Sequence, residues 1–255
     1  MPATGSAQDV EAALAAYEAG DYATALREFE LLAEEGDAFA QGSLGFMYDL
    51  GQGVPQDYAE AVSWYRKAAV QGDAFAQGML GFAYANGNGV LKDDVEAVSW
   101  YRKAADQGNA YAQSNLGLMY KFGKGVPQDY AEAVSWFRKA AMQGEASAQG
   151  GLGYAYALGQ GVPQDYAEAV SWFRKAAVQG DAFAQGNLGF SYAQGYGVPQ
   201  DYVSAHMWYN LASGNGLPDG QAVRDAYAAK MTPEGVLEAQ RRASVCLASN
   251  YQDCG

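Results

Sequence analysis

The chain has 255 residues, 49% of them hydrophobic, and a formal net charge of −13 from 29 acidic and 16 basic side chains. That excess excludes a nucleic-acid binder, which needs clustered Lys and Arg, and an anionic-membrane binder, and no run of 18 apolar residues offers a membrane-inserting helix. One histidine, His206, and two cysteines, Cys246 and Cys254, supply too few ligands for a zinc or iron site, so no metal and no cofactor are expected.

In chain order, residues 1–8, "MPATGSAQ", carry no packing pattern and read as a disordered lead. The opening also lacks the basic start and apolar stretch of a secretory signal, so it reads equally as the start of a mature chain. Residues 9–36 then hold an acidic, irregular helix pair, Val10 to Gly20 and a second helix from Asp21, expected to cap the N-terminal end of a helical array.

From residue 37 the sequence repeats. "SWYRKAA" or "SWFRKAA" starts at Ser63, Ser99, Ser135 and Ser171, a spacing of 36. This sets five repeats: 37–72, 73–108, 109–144, 145–180 and 181–216. In the first, a helix is predicted over Ala38–Leu50, with Asp37 as N-cap and Ala40, Leu44 and Tyr48 on one face. Gly51 and Gly53 break it, and Pro55 blocks a restart. A second helix begins at Asp57, where Asp57 and Glu60 approximate a capping box. Tyr58, Ala61, Val62, Tyr65, Ala68 and Ala69 form its apolar face, Arg66 and Lys67 complement its dipole, and Gln71-Gly72 ends it. Such a pair buries its apolar face only by stacking on its neighbours, as in a solenoid. The columns Trp64, Trp100, Trp136, Trp172, Trp208 and Tyr48, Tyr84, Tyr120, Tyr156, Tyr192 read as buried stacking joints.

The fifth repeat departs from the pattern: "VSAHMWYNLAS" (Val203 to Ser213) places His206 where Val62 stands. A lone histidine there reads as a packed terminal residue, not a catalyst. Residues 217–255 are expected to cap the array with helices at about 221–230 and 233–248, the latter opened by Thr232 as N-cap and Pro233 at the first helical position. Cys246 and Cys254 stand eight positions apart, near enough to bridge. A disulfide would pin the tail at a gain of about 2–3 kcal/mol and imply an extracytoplasmic home, periplasmic or secreted. Two free thiols would imply the cytoplasm.

"AQGSLGFMYDLGQGVPQDYAEAVSWYRKAAVQG" resembles the Sel1-like repeat, a relative of the tetratricopeptide repeat. The Leu-Gly-x-x-Tyr of the first helix, the Gly-x-Gly-Val loop, the Asp before the second helix and the Trp-Tyr/Phe-x-Lys-Ala-Ala segment carry the resemblance over residues 9–216, and the segment from Leu211, "LASGNG" to "RDAYAAKMTPEGVLEAQRRA", is similar to the close of many bacterial members. The resemblance implies an all-α, right-handed α/α solenoid of antiparallel helix pairs. It also implies a non-enzymatic scaffold or adaptor that binds a protein or peptide, in signalling, envelope assembly or host interaction; a monomer is expected.

Within the repeats, Ala40, Leu44, Gly45 and Tyr48 and their equivalents never change, whereas positions 3, 7, 10 and 14 do, and these fall on one helical stripe. Released from packing, that stripe is expected to face solvent. In tetratricopeptide units the first helix lines the concave surface, so the resemblance makes the stripe a groove: Phe39, Phe46 and Leu50; Phe75, Phe82 and Asn86; Tyr111, Leu118 and Phe122; Tyr154 and Leu158; Phe183, Phe190 and Gln194. Asp49 and Lys121 add charge selectivity, and small residues such as Gly42 leave the floor open. Aromatic anchors beside small residues suit a peptide. The competing reading packs positions 3 and 10 between neighbouring first helices. A second class of function is a structural spacer gripping partners through its ends. A third, a weak β-lactam-binding hydrolase, is disfavoured: the repeats lack the cysteine pairs of such relatives, and Ser63 is followed by Lys67, one place too far for Ser-x-x-Lys. No phosphate loop or nucleophile elbow occurs either.

Overall fold

The computed structural model describes residues 7–254, and among them it contains fourteen α-helices and no strand. Residues 1–6 of the expected lead lie outside the described residues, and the first helix already begins at Ala7. The chain divides into two compact bodies, Met1–Gln128 and Asp129–Gly255. The first holds α1 (Ala7–Glu18), α2 (Tyr22–Glu34), α3 (Ala38–Leu50), α4 (Tyr58–Val70), α5 (Ala74–Asn86), α6 (Asp94–Asp106) and α7 (Ala110–Phe122). The second holds α8 (Tyr130–Met142), α9 (Ala146–Leu158), α10 (Tyr166–Ala177), α11 (Ala182–Gln194), α12 (Tyr202–Gly214), α13 (Gly220–Ala228) and α14 (Pro233–Ala248). In each body, consecutive antiparallel pairs stack as repeats, so the expected all-α helix-pair architecture is the one observed.

Local chemistry sets the helix limits. Asp37 accepts the Ala40 N–H at 2.8 Å, and Asp57 accepts those of Ala59 and Glu60 at 2.9 and 3.0 Å. Each such cap contributes about 1 kcal/mol. Gly51 ends α3 at φ +70°, a left-handed conformation that suits glycine. The capping box at Asp57 is only half made: the Asp57 N–H donates instead to the Tyr48 carbonyl at 3.0 Å, so Glu60 has no amide to reach back to.

Inside a pair the two helices come close because Gly45 has no side chain. A Cβ there would lie 2.6 Å from the Tyr65 ring, and Gly81 and Gly153 stand likewise against Tyr101 and Phe173. Between pairs, three kinds of joint recur. Loop glycines such as Gly89 rest on the backbone at the start of the preceding second helix, here Tyr58. Arginines of second helices donate to the tyrosine of the next first helix: Arg66 to Tyr84 (2.9 Å), Arg174 to Tyr192 (2.7 Å), and Arg102 to Tyr120. Buried glutamines form the third. Gln77 Nε2 donates to the Ala69 carbonyl at 3.0 Å, while its oxygen accepts from Gln107 at 2.7 Å. The second body repeats this with Gln149, Ala141 and Gln179, and then with Gln185, Ala177 and Asn215.

Both aromatic columns differ from the expectation: Tyr48, Tyr84, Tyr120, Tyr156 and Tyr192 are only half-buried, and the tryptophans vary. Trp136 and Trp208 are buried, but Trp64, Trp100 and Trp172 are only partly so. The lysine three residues on covers the ring in four of the repeats: Lys67, Lys103, Lys139 and Lys175 lie 3.3, 3.7, 3.7 and 3.8 Å from the ring centroids. Trp64 and Trp100 still join neighbours, packing on the cores around Phe29 and Leu44 and around Tyr65 and Leu80.

At the C-terminal end, Thr232 accepts the Gly235 N–H at 3.2 Å with Pro233 opening α14. Cys246 and Cys254 are disulfide-bonded, with Cα atoms 4.4 Å apart. The tail returns Tyr251 to the last repeat, where its hydroxyl and Asn215 exchange hydrogen bonds of 2.8 and 3.1 Å. His206 is buried in α12.

Candidate functional site

The first helix of each repeat packs Ala40, Leu44 and their equivalents inward, which leaves positions 3, 7, 10 and 14 on the opposite face. Of the residues expected there, Phe39, Leu50, Phe75, Tyr111, Phe122, Leu158, Phe183 and Phe190 keep 40–57% of their surface exposed. Phe46, Phe82, Leu118 and Tyr154 are half-buried, and Asn86 and Gln194 are exposed.

The rings also touch one another. In the first body Phe46 meets Phe75 edge-on at 5.8 Å and Phe82 meets Tyr111 at 6.4 Å. In the second, Tyr154 meets Phe183 at 5.6 Å. Position 10 of one repeat thus packs beside position 3 of the next while both keep an open face, so the two competing readings of the stripe describe the same rings. Each such pair is worth about 0.5–1.5 kcal/mol beyond its buried area.

Three pockets of similar size lie along these faces. The first body has one of about 220 Å³ among Tyr17, Phe29, Phe39, Phe46 and Phe75 with Gly42 as its floor, and one of about 220 Å³ among Phe82, Asn86, Asp94, Leu118, Phe122 and Lys124. The second body has one of about 230 Å³ among Tyr154, Leu158, Tyr166, Phe190 and Tyr196. All are smaller than the ~300–1,000 Å³ of small-molecule sites and suit single side chains.

Charge enters sparsely. Burial raises the Asp49 carboxyl above its ordinary range and lowers the Lys121 ammonium below its own. Lys121 and Lys124 sit 5.2 and 5.9 Å from the Phe122 ring centroid. The side-chain nitrogen of Asn86 is engaged by the Phe82 carbonyl at 2.9 Å, and that of Gln194 by the Tyr227 hydroxyl at 3.4 Å. Among the described residues no group of three His, Cys, Asp or Glu side chains is placed to hold a metal ion, and no helix is long and apolar enough to cross a membrane.

Sequence reasoning missed the pocket walls contributed by Tyr17, Phe29, Tyr166 and Tyr196, which lie off the first helices of the five repeats. It also passed over the buried glutamines, although "AQ" at Gln41, Gln77, Gln113, Gln149 and Gln185 never varies.

The Sel1 repeat model matches residues 38–73, 74–109, 110–145, 146–181 and 182–217, the same 36-residue period in a frame one residue later. Among solved structures, the chain is similar to a Sel1 repeat protein from Oxalobacter formigenes, at 37% identity and a TM-score of 0.79 over 86% of this chain and 87% of that one. It is similar to c5321, a protective antigen present in uropathogenic Escherichia coli strains and displaying an SLR fold, at 32% identity and a TM-score of 0.59; 90% of this chain covers 58% of that one. An immunity protein of Pseudomonas aeruginosa shares the fold at 22% identity, with a TM-score of 0.54 over 80% and 81% of the two chains. No curated protein matches the chain.

Proposed function

The chain belongs to the Sel1 repeat family, and on that ground we propose that it is a non-enzymatic scaffold that holds a protein or peptide partner on the face of its first helices. The observation that carries this reading is the stripe of half-exposed rings with side-chain-sized pockets between them in each body. Apolar anchors entering such pockets supply most of the energy of a peptide interface, while the surrounding contacts exclude water. In this reading residues 9–36 and 217–255 close the ends of the array, and Asp49 and Lys121 select charge along the stripe. A net charge of −13 favours a partner other than nucleic acid. The Cys246–Cys254 bond supports an oxidising, extracytoplasmic compartment.

The test is capture of binding partners by the full chain with Phe46, Phe82 and Phe190 changed together to Ala. Partner capture should fall while circular dichroism stays helical. Undiminished capture by a folded triple variant would remove the stripe from the function.

A further inference from the structure

One pocket of the second body has a copy, one repeat further on, that the chain fills for itself. The open pocket lies among Tyr154, Tyr166, Phe173, Phe190, Ser191 and Tyr196. Thirty-six residues after Tyr154, Tyr166 and Phe173 stand Phe190, Tyr202 and Tyr209, and thirty-six after Ser191 stands Tyr227 on α13. The Tyr227 ring stacks on Tyr202 and Tyr209 with centroids 5.8 and 5.7 Å away. Lys230, one turn later, holds its ammonium 5.7 Å from the Tyr202 centroid and 5.2 Å from that of Tyr227. The copy is therefore occupied by a Tyr-x-x-Lys element.

At the open pocket Tyr154, Tyr166 and Phe173 form the corresponding walls, Tyr196 adds a ring where the copy has Thr232, and Ser191 stands where the copy has Tyr227. Ser191 is too short to reach across, and its hydroxyl is turned to the Asn187 carbonyl at 2.8 Å. Tyr166, the counterpart of the Tyr202 ring on which Lys230 lies, stacks on Tyr196 at 4.7 Å, with Phe190 edge-on to Tyr196 at 5.9 Å, so an electron-rich ring pair borders the pocket. Among the described residues no Lys or Arg lines this pocket. The equivalent pocket of the first body differs: Asp94, Met119 and Lys124 stand where Tyr166, Ser191 and Tyr196 stand here.

We propose that the Ser191 pocket receives an aromatic-x-x-basic turn from a helix of the partner protein, the ring filling the space over Ser191 and the cation lying on the tyrosine faces. The inference rests on the first-helix face being the binding face, and it names the side chains that face selects.

Fluorescence anisotropy of the full chain with three labelled helical peptides, alike except for Tyr-x-x-Lys, Tyr-x-x-Glu or Ala-x-x-Lys, tests it. The Tyr-x-x-Lys peptide should bind at least about tenfold tighter than either of the others. Ser191→Tyr, which installs the residue that fills the copy, should weaken that binding at least about tenfold. Should Ser191→Tyr misfold by circular dichroism, the exposed Tyr196→Lys, bringing in the first body's residue, should weaken the same peptide. Equal binding of all three peptides, binding of none, or indifference to the folded variants overturns the proposal. If it falls while the triple phenylalanine variant still loses partner capture, only the choice of side chains is wrong; if capture also persists in that variant, the binding face itself is.

Discussion

Two neighbouring glycines of α3 have opposite roles, and a methyl group separates them. A Cβ on Gly45 would meet the Tyr65 ring at 2.6 Å, whereas on Gly42 its nearest neighbours lie at 3.6 Å or beyond. Gly45→Ala should therefore destabilise the fold by about 1–3 kcal/mol through overpacking. Gly42→Ala should stabilise it by about 0.4–1 kcal/mol by removing freedom from the unfolded chain. Urea unfolding followed by tryptophan fluorescence measures both. The single histidine gives an equally separable effect. Burial, with Arg224 adding to it against the opposing Asp225, holds the His206 imidazole below its ordinary pKa. The unfolded chain then binds the extra proton first, so stability is full above about pH 6.5 and declines as pH falls below it. His206→Val should abolish that decline in unfolding measured between pH 8 and 5. The Glu238 carboxyl, held down to about 2 by hydrogen bonds from Arg241 and Arg242, contributes stability that is lost only as pH falls below about 5.

At the scale of helices, the glutamine joints bind neighbouring pairs through buried polar groups. Gln149 serves the Ala141 carbonyl at 3.2 Å and the Gln179 amide at 2.8 Å. Gln149→Leu should cost about 1–3 kcal/mol, because it removes both of these hydrogen bonds at once, and a fall in the urea midpoint without change in slope would report it. These joints also mark where the sequence stopped being readable. The helix over Ala38–Leu50 and the start of α14 at Pro233 were legible, because caps, glycines and periodicity act within a few residues. The stripe was legible as a face for the same reason. Its ring pairs were not, since Phe46 and Phe75 lie 29 positions apart and meet only after stacking. The tryptophans misled in part because a lysine stem covers a ring as well as a neighbouring helix does, and burial by one's own helix leaves no mark in an apolar pattern.

For the molecule as a whole, the C-terminal tail is held to its last helix covalently. Reduction of Cys246–Cys254 should lower unfolding stability by about 2–3 kcal/mol for so short a loop. Unfolding of the alkylated, reduced chain against the oxidised one measures this, with mass spectrometry confirming the bond in protein recovered from its native source. An unchanged midpoint would mean that Tyr251 and its bonds to Asn215 hold the tail without the sulfurs. The glutamine joint also bears on how such a chain changes length over evolutionary time. Ala141 and Ala177 offer the same carbonyl, and Gln149 and Gln185 bring the same amide to it. Loss of the 36 residues between these joints brings Gln185 to Ala141 with the caps and loops in register, whereas a loss that is not a whole multiple of 36 breaks that register. Near-identical repeats invite unequal recombination in steps of one unit. Selection then acts on the number of repeats without first having to rescue the fold.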